Sequence, residues 1–254
     1  MSVISKNIWL KQYIIYILIP ALFICSSAAA AGAQKTNLAL NQGPFRVVLD
    51  PGHGGHDAGV RGERGVLEKN VTLTLAKMVA RQLDDAFLVV LTRNADYAVD
   101  LIERGAIANH NSAHLFISLH IGGSFLHRVS GGAIFYYEKV SDSDPGPDAG
   151  LSKNDVSADC DKRWDCLQSN HTIRSRVLVN LIKERLAERV PFWDTQVRGA
   201  PLMVLKGVDM PAVVIEIGYL TNPTDEKTFG DPKILSDIAR GISDGIHRFF
   251  KKSP

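Results

Sequence analysis

Val47-Val48-Leu49-Asp50-Pro51-Gly52-His53-Gly54-Gly55-His56-Asp57-Ala58-Gly59-Val60-Arg61-Gly62-Glu63-Arg64-Gly65-Val66-Leu67-Glu68-Lys69-Asn70 is the stretch from which the chain can be read outward. Its apolar start, closed by Asp50-Pro51, reads as a buried strand with a breaker behind it. Glycines at 52, 54, 55 and 59 then permit tight turns and close backbone approaches. Glu68 opens a run in which Val71, Leu75, Met78, Val79 and Leu83 recur at helical spacing, so a helix is expected from Glu68 to about Asp85. An imidazole, His53, is therefore displayed just past a strand's carboxyl end, where open α/β sheets place their ligands. Glu68 returns to the same mouth, which is the architecture of a metal site once a third ligand is found.

The 254 residues suffice for one α/β domain plus a leader, and 45% apolar with 22% charged residues is an ordinary globular composition. The leader stands apart. Lys6 and Lys11 precede the apolar run Tyr13–Cys25, and small residues end at Ala31-Gly32-Ala33. This reads as a secretory signal peptide, residues 1–33, cleaved after Ala33. Left uncleaved, the same run is a membrane anchor, and that is the chain's one expected tie to a membrane. Cleavage removes two lysines and no acidic residue, taking the formal charge from +2 to 0. No nucleic-acid partner is expected from such a balance. Cys160 and Cys166 remain, six apart: in an oxidising compartment they either pair or stay free, and spacing alone does not decide.

Beyond the linker 34–44, strands are expected at Arg46–Asp50, Phe87–Thr92, Leu115–His120, Gly132–Tyr137, Leu202–Leu205 and Val213–Ile217. Helices fall between them: Asp100 is placed as the N-cap of one ending near Asn109, and another covers Ser169–Val190. Asn222-Pro223 and Asp231-Pro232 each put a cap before a proline at the first helical position, so both start helices. The rhythm predicts a single α/β domain over 45–252, a mostly parallel twisted sheet of about six strands with helices on both faces. Residues 138–168, rich in Asp, Ser, Pro and Gly, interrupt it as an inserted loop, either a lid or partner-binding element or a passive surface loop.

His120 ends the apolar strand Leu115–Leu119 and supplies the third ligand. Two imidazoles and a carboxylate leave a fourth position for water, the layout of a catalytic zinc, which lowers the pKa of that water and polarises a carbonyl. Glu216 sits inside Val213-Val-Ile-Glu-Ile217, where a buried charge is costly unless paired or linked to a metal. It reads either as a general base or as a structural partner of Arg198. His56 reads as a solvent-exposed loop residue. Arg61 and Arg64 are either contacts for substrate carboxylates or solvated loop residues, and Arg93 and Arg104 are candidates for structural ion pairs.

D-P-G-H-G-G at 50–55, Glu68, E-R-G-A-I-A-N at 103–109, L-F-I-S-L-H at 115–120 and M-P-A-V-V-I-E-I-G-Y-L-T-N-P-T-D-E at 210–226 resemble the zinc-dependent N-acetylmuramoyl-L-alanine amidases of the amidase-3 family. The resemblance spans about 45–250. It implies His53, Glu68 and His120 as Zn2+ ligands and Glu216 as the catalytic glutamate. It also implies peptidoglycan as substrate, cut between N-acetylmuramic acid and L-alanine in the periplasm or cell wall. Ile121-Gly122-Gly123 departs from the family's usual Ala-Asp-Ala, so substrate contacts near Gly122 are expected to differ. Some relatives cover the zinc with an inserted segment, which makes 140–168 a candidate surface for a regulatory protein. A zinc exopeptidase and a catalytically silent wall-binding protein are the competing functional readings.

Overall fold

The structure, a computed structural model, describes residues 44–83, 87–139, 167–191 and 193–252. The leader 1–33, the linker up to residue 43, residues 140–166 of the inserted loop, and with them Cys160 and Cys166, lie outside the described residues. Among the described residues no helix is long and apolar enough to cross a membrane.

The strands are β1 (Phe45–Pro51), β2 (Phe87–Leu91), β3 (Leu115–Gly122), β4 (Gly132–Tyr137), β5 (Thr195–Ala200) and β6 (Ala212–Tyr219), in one sheet of order β2-β1-β3-β6-β4-β5. The first four in that order are mutually parallel, β4 runs antiparallel to β6, and β5 is parallel to β4. Connection length explains the reversal. Residues 123–131 join β3 to β4, fewer than the dozen or so that a parallel crossover needs, so the chain turns back. From β4 to β5 the chain crosses through the long helix α3 (Leu167–Arg189), and the pair is parallel.

Alternating side chains feed two cores. Val47, Leu49, Ile117, Leu119 and Ile215 pack on the side of α3, of α1 (Glu68–Gln82) and of α5 (Pro232–Lys252). Val48, Phe116 and Val214 face the other way, with Ala108 of α2 (Leu101–His110) and with Leu205, Val208 and Met210. Each fully buried aliphatic contributes about 1.5–3 kcal/mol. β1, β3 and β6 thus read as unbroken apolar runs because both their faces are covered.

Two expectations need correction. Leu202–Leu205 is not a strand: Met203–Leu205 is a single 3-10 turn that buries Leu205 beneath α2. The strand there is Thr195–Ala200, an edge strand whose polar, largely exposed residues leave little apolar signal. Asp100 precedes α2 as placed, but its side chain makes no capping bond. Asn222 does cap α4 (Pro223–Phe229), accepting from the N–H groups of Thr224 and Asp225. Asp231 accepts from the N–H of Lys233 at 2.8 Å, at the start of α5.

Candidate metal centre and active site

The site lies at the carboxyl ends of β1, β3 and β6, and its first support is a buried carboxylate. Asp50, fully buried in β1, accepts from Thr92 Oγ1 at 2.6 Å, Ser118 Oγ at 2.7 Å and Arg104 Nη1 at 2.7 Å. Arg104 also donates to the carbonyls of Pro51 and His53, at 2.9 and 3.1 Å. Arg93 donates to those of Pro51 and Gly52, at 2.9 and 2.7 Å. Three successive carbonyls are therefore held by two guanidiniums. That fixes His53 in the left-handed region, at φ 61°, a conformation costing about 1–2 kcal/mol for a residue with a Cβ. Gly52 sits directly under the His120 ring, and a Cβ on it would come within 2.4 Å of the ring's Cε1.

Glu68 is the first residue of α1, where the helix dipole favours an anion. Its Oε1 accepts from the Ile121 N–H at 2.9 Å and lies 3.1 Å from His120 Nδ1. Its Oε2 accepts from the Val60 N–H at 2.9 Å and lies 3.0 Å from His53 Nε2. Burial pushes this carboxyl up, but the bonds with His120, His53, Ile121 and Val60 outweigh it and hold it at about 2. Asp57 Oδ2 lies 2.8 Å from His53 Nδ1 and turns the Nε2 inward. Burial pushes the His53 pKa down, and Glu68 and then Asp57 more than offset this, leaving it raised.

One ligand atom each from His53, Glu68 and His120 fall within 4.8 Å of one another. Two imidazoles and one carboxylate suit a borderline divalent ion such as zinc. Glu216 is the register partner of His120 across β3 and β6, half-buried, on the strand face that carries Asp50, Ser118 and His120. Burial raises its pKa, countered by the charges of His120 and Arg198 and reinforced by Glu68.

The remaining candidates stand further out. Arg198 is exposed on β5, near enough for its charge to act on Glu216 but, among the described residues, in no ion pair with it. Arg61 and Arg64 are exposed on the glycine-rich loop, and His56 is exposed too. Gly122 lies half-buried beside the Tyr219 ring, where an added Cβ would stand 3.0 Å away. Arg104 forms the expected ion pair, whereas Arg93 binds chiefly carbonyls. Asp57 escaped the sequence reading, although an aspartate four residues past His53 was visible. Lys69 did too: it bonds Asp96 Oδ2 and the Gly55 carbonyl, each at 2.7 Å, and so pins the loop.

Fold and site together define an α/β enzyme with a candidate centre for one divalent ion. The N-acetylmuramoyl-L-alanine amidase family model matches residues 47–248, and the chain belongs to this family, the amidase-3 hydrolases of the amide between N-acetylmuramic acid and L-alanine in peptidoglycan. It is 28% identical over 233 residues to N-acetylmuramoyl-L-alanine amidase AmiA of Escherichia coli K12, covering 86% of this chain and 81% of that one. It is 30% identical over 219 residues to the germination-specific amidase of Bacillus subtilis 168, covering 80% and 79%. The CwlV catalytic domain from Bacillus (Paenibacillus) polymyxa superposes with TM-score 0.66 at 27% identity, covering 82% and 98%. The CwlD amidase of Clostridioides difficile, solved in complex with the GerS lipoprotein, shares the fold at TM-score 0.64 and 22% identity, with coverages of 82% and 98%.

Proposed function

We propose that this chain is a zinc-dependent peptidoglycan amidase in which His53, Glu68 and His120 hold the ion and Glu216 is the general base. The observation that carries this reading is the pairing of His120 with Glu216 beside a cluster able to bind one ion. When bound, zinc polarises the scissile carbonyl and makes a water acidic. Glu216 accepts a proton from the attacking water as its oxygen bonds the lactyl carbon. It then delivers that proton to the L-alanine nitrogen as the C–N bond breaks, leaving a lactyl carboxylic acid, which gives its proton up to solvent, and a free amine. Its half-burial favours holding a proton between those two moments, and the charges of His120 and then Arg198 limit how far. Glu68, ionised at neutral pH, and Asp57, which sets the His53 tautomer, keep the ligand set in one geometry.

Arg61, Arg64, Gly122 and Arg198 are the proposed substrate contacts, the arginines toward stem-peptide carboxylates. The leader 1–33 supports export to the periplasm or cell wall, where the substrate lies, and residues 140–168 are the proposed surface for a regulatory protein. The test is digestion of purified peptidoglycan by residues 34–254, with and without chelator, beside Glu216→Gln. Stem peptides with an L-alanine amino terminus are expected from the wild type alone, at least about 100-fold above Glu216→Gln. Undiminished release by Glu216→Gln rules out the base assignment, and undiminished release in chelator rules out the metal.

A further inference from the structure

The segment Thr221–Glu226 bonds two loops, one that follows His120 and one that precedes Glu68. Thr221 Oγ1 accepts from the Ser124 N–H at 3.0 Å, and Asn222 Nδ2 donates to the Val129 carbonyl at 3.2 Å. Asp225, buried, accepts from Ser130 Oγ at 2.6 Å and from the Tyr219 N–H at 3.0 Å. These bonds hold the 123–131 connection, which leaves β3 just past His120. Glu226 holds the opposite loop. Its Oε1 accepts from the N–H of Arg64 at 2.9 Å and of Val66 at 3.3 Å, and its Oε2 lies 3.0 Å from the same Arg64 nitrogen.

Glu226 is 1% exposed and, among the described residues, forms no ion pair. A carboxylate buried without a cation depends on the N–H groups aimed at it, so the 62–66 turn is held in the conformation that satisfies it. Gly62 allows the approach: a Cβ there would stand 2.2 Å from Glu226 Oε1. From this turn a chain of backbone bonds leads to Glu68, the proposed ligand. Gly62 N–H donates to the Val66 carbonyl at 2.9 Å, and Arg61 bridges Leu67. Glu68 N–H then donates to the Val60 carbonyl at 2.9 Å, while Val60 N–H donates to Glu68 Oε2 at 2.9 Å. The Val60 support of Glu68 thus adjoins backbone that Glu226 orders, beside the separate bond from the Lys69 N–H to the Ala58 carbonyl at 3.2 Å.

We propose that Glu226 is a positioning residue of the metal centre, acting through the 62–66 turn to keep Glu68 where both histidines meet it. This rests on the reading of His53, Glu68 and His120 as ligands. The test measures zinc affinity of the full chain by chelator competition in wild type, Glu226→Gln and Gly62→Ala, with cooperative unfolding as the check on folding. Gly62→Ala unseats the same contact from the other side and leaves the carboxylate in place. Folded variants are expected to bind zinc about 10-fold more weakly, the effect usual for outer supports of a ligand, and excess zinc restores the kcat of Glu226→Gln. Coupling is reciprocal, so in the wild type zinc must slow amide exchange at Arg64 and Val66. Folded variants with wild-type zinc affinity, or exchange at those two amides indifferent to zinc, overturn the proposal. A wild type that binds no zinc removes the ligand assignment, and this proposal with it.

Discussion

Gly52→Ala probes how tightly the site is built. The substitution adds one methyl, and the backbone at 52 is not in the left-handed region, so nothing local forbids alanine there. What it meets is the His120 ring: Cε1 at 2.4 Å, Nδ1 at 2.6 Å and Nε2 at 2.7 Å. An ordinary contact begins at 3.4 Å, so ring and methyl must separate by about 1 Å. Gly52 cannot yield easily, because its N–H bonds the Leu119 carbonyl at 2.9 Å and its own carbonyl accepts from Arg93 and Thr72. The ring therefore moves, and the proposed ligand with it. A misplacement of ~1 Å at reacting groups costs on the order of 100-fold in rate, while overpacking of this size costs about 1–3 kcal/mol of stability. The assay is release of L-alanine-terminated peptides from peptidoglycan at saturating substrate, beside zinc content and a denaturation curve. A Gly52→Ala protein with wild-type rate and zinc content refutes the reasoning, since the methyl then fits without displacing His120.

Asp57→Ala removes the partner of His53 Nδ1, and zinc affinity is expected to fall about 10–100-fold in a competition titration while the fold persists. Arg104→Ala strands the fully buried Asp50 with two hydroxyl donors and no ion-pair partner among the described residues, so denaturant unfolding should show a loss of about 3–5 kcal/mol. For pH, Glu68 is depressed to about 2, so the stability its ionised form contributes is complete above its ordinary 4.5 and is lost as pH falls through about 2. The metal-free protein should thus lose about 3 kcal/mol across that window, measured by urea unfolding at stepped pH, and Glu68→Gln should flatten the slope.

The sequence by itself determined whatever is local. Val47–Leu49, Leu115–Leu119 and Val213–Ile217 announce buried strands because both their faces are covered, and the breakers behind the first two mark carboxyl ends. His53, Glu68, His120 and Glu216 could be picked out because each stands where an apolar or helical run stops or is interrupted. Tertiary structure alone decided which strands are neighbours. β6 inserts between β3 and β4, and only that places Glu216 beside His120, 96 residues earlier. The same holds for Asp50 with Arg104, for the guanidiniums that hold His53 in a left-handed turn, and for Glu226 reaching back 162 residues to Arg64. The edge strand β5 stayed hidden because a polar, half-exposed ribbon takes its order from the neighbour it pairs with. Periodicity and breakers act over a few residues, whereas register, buried charge pairing and left-handed turns are settled only when distant segments close on one another.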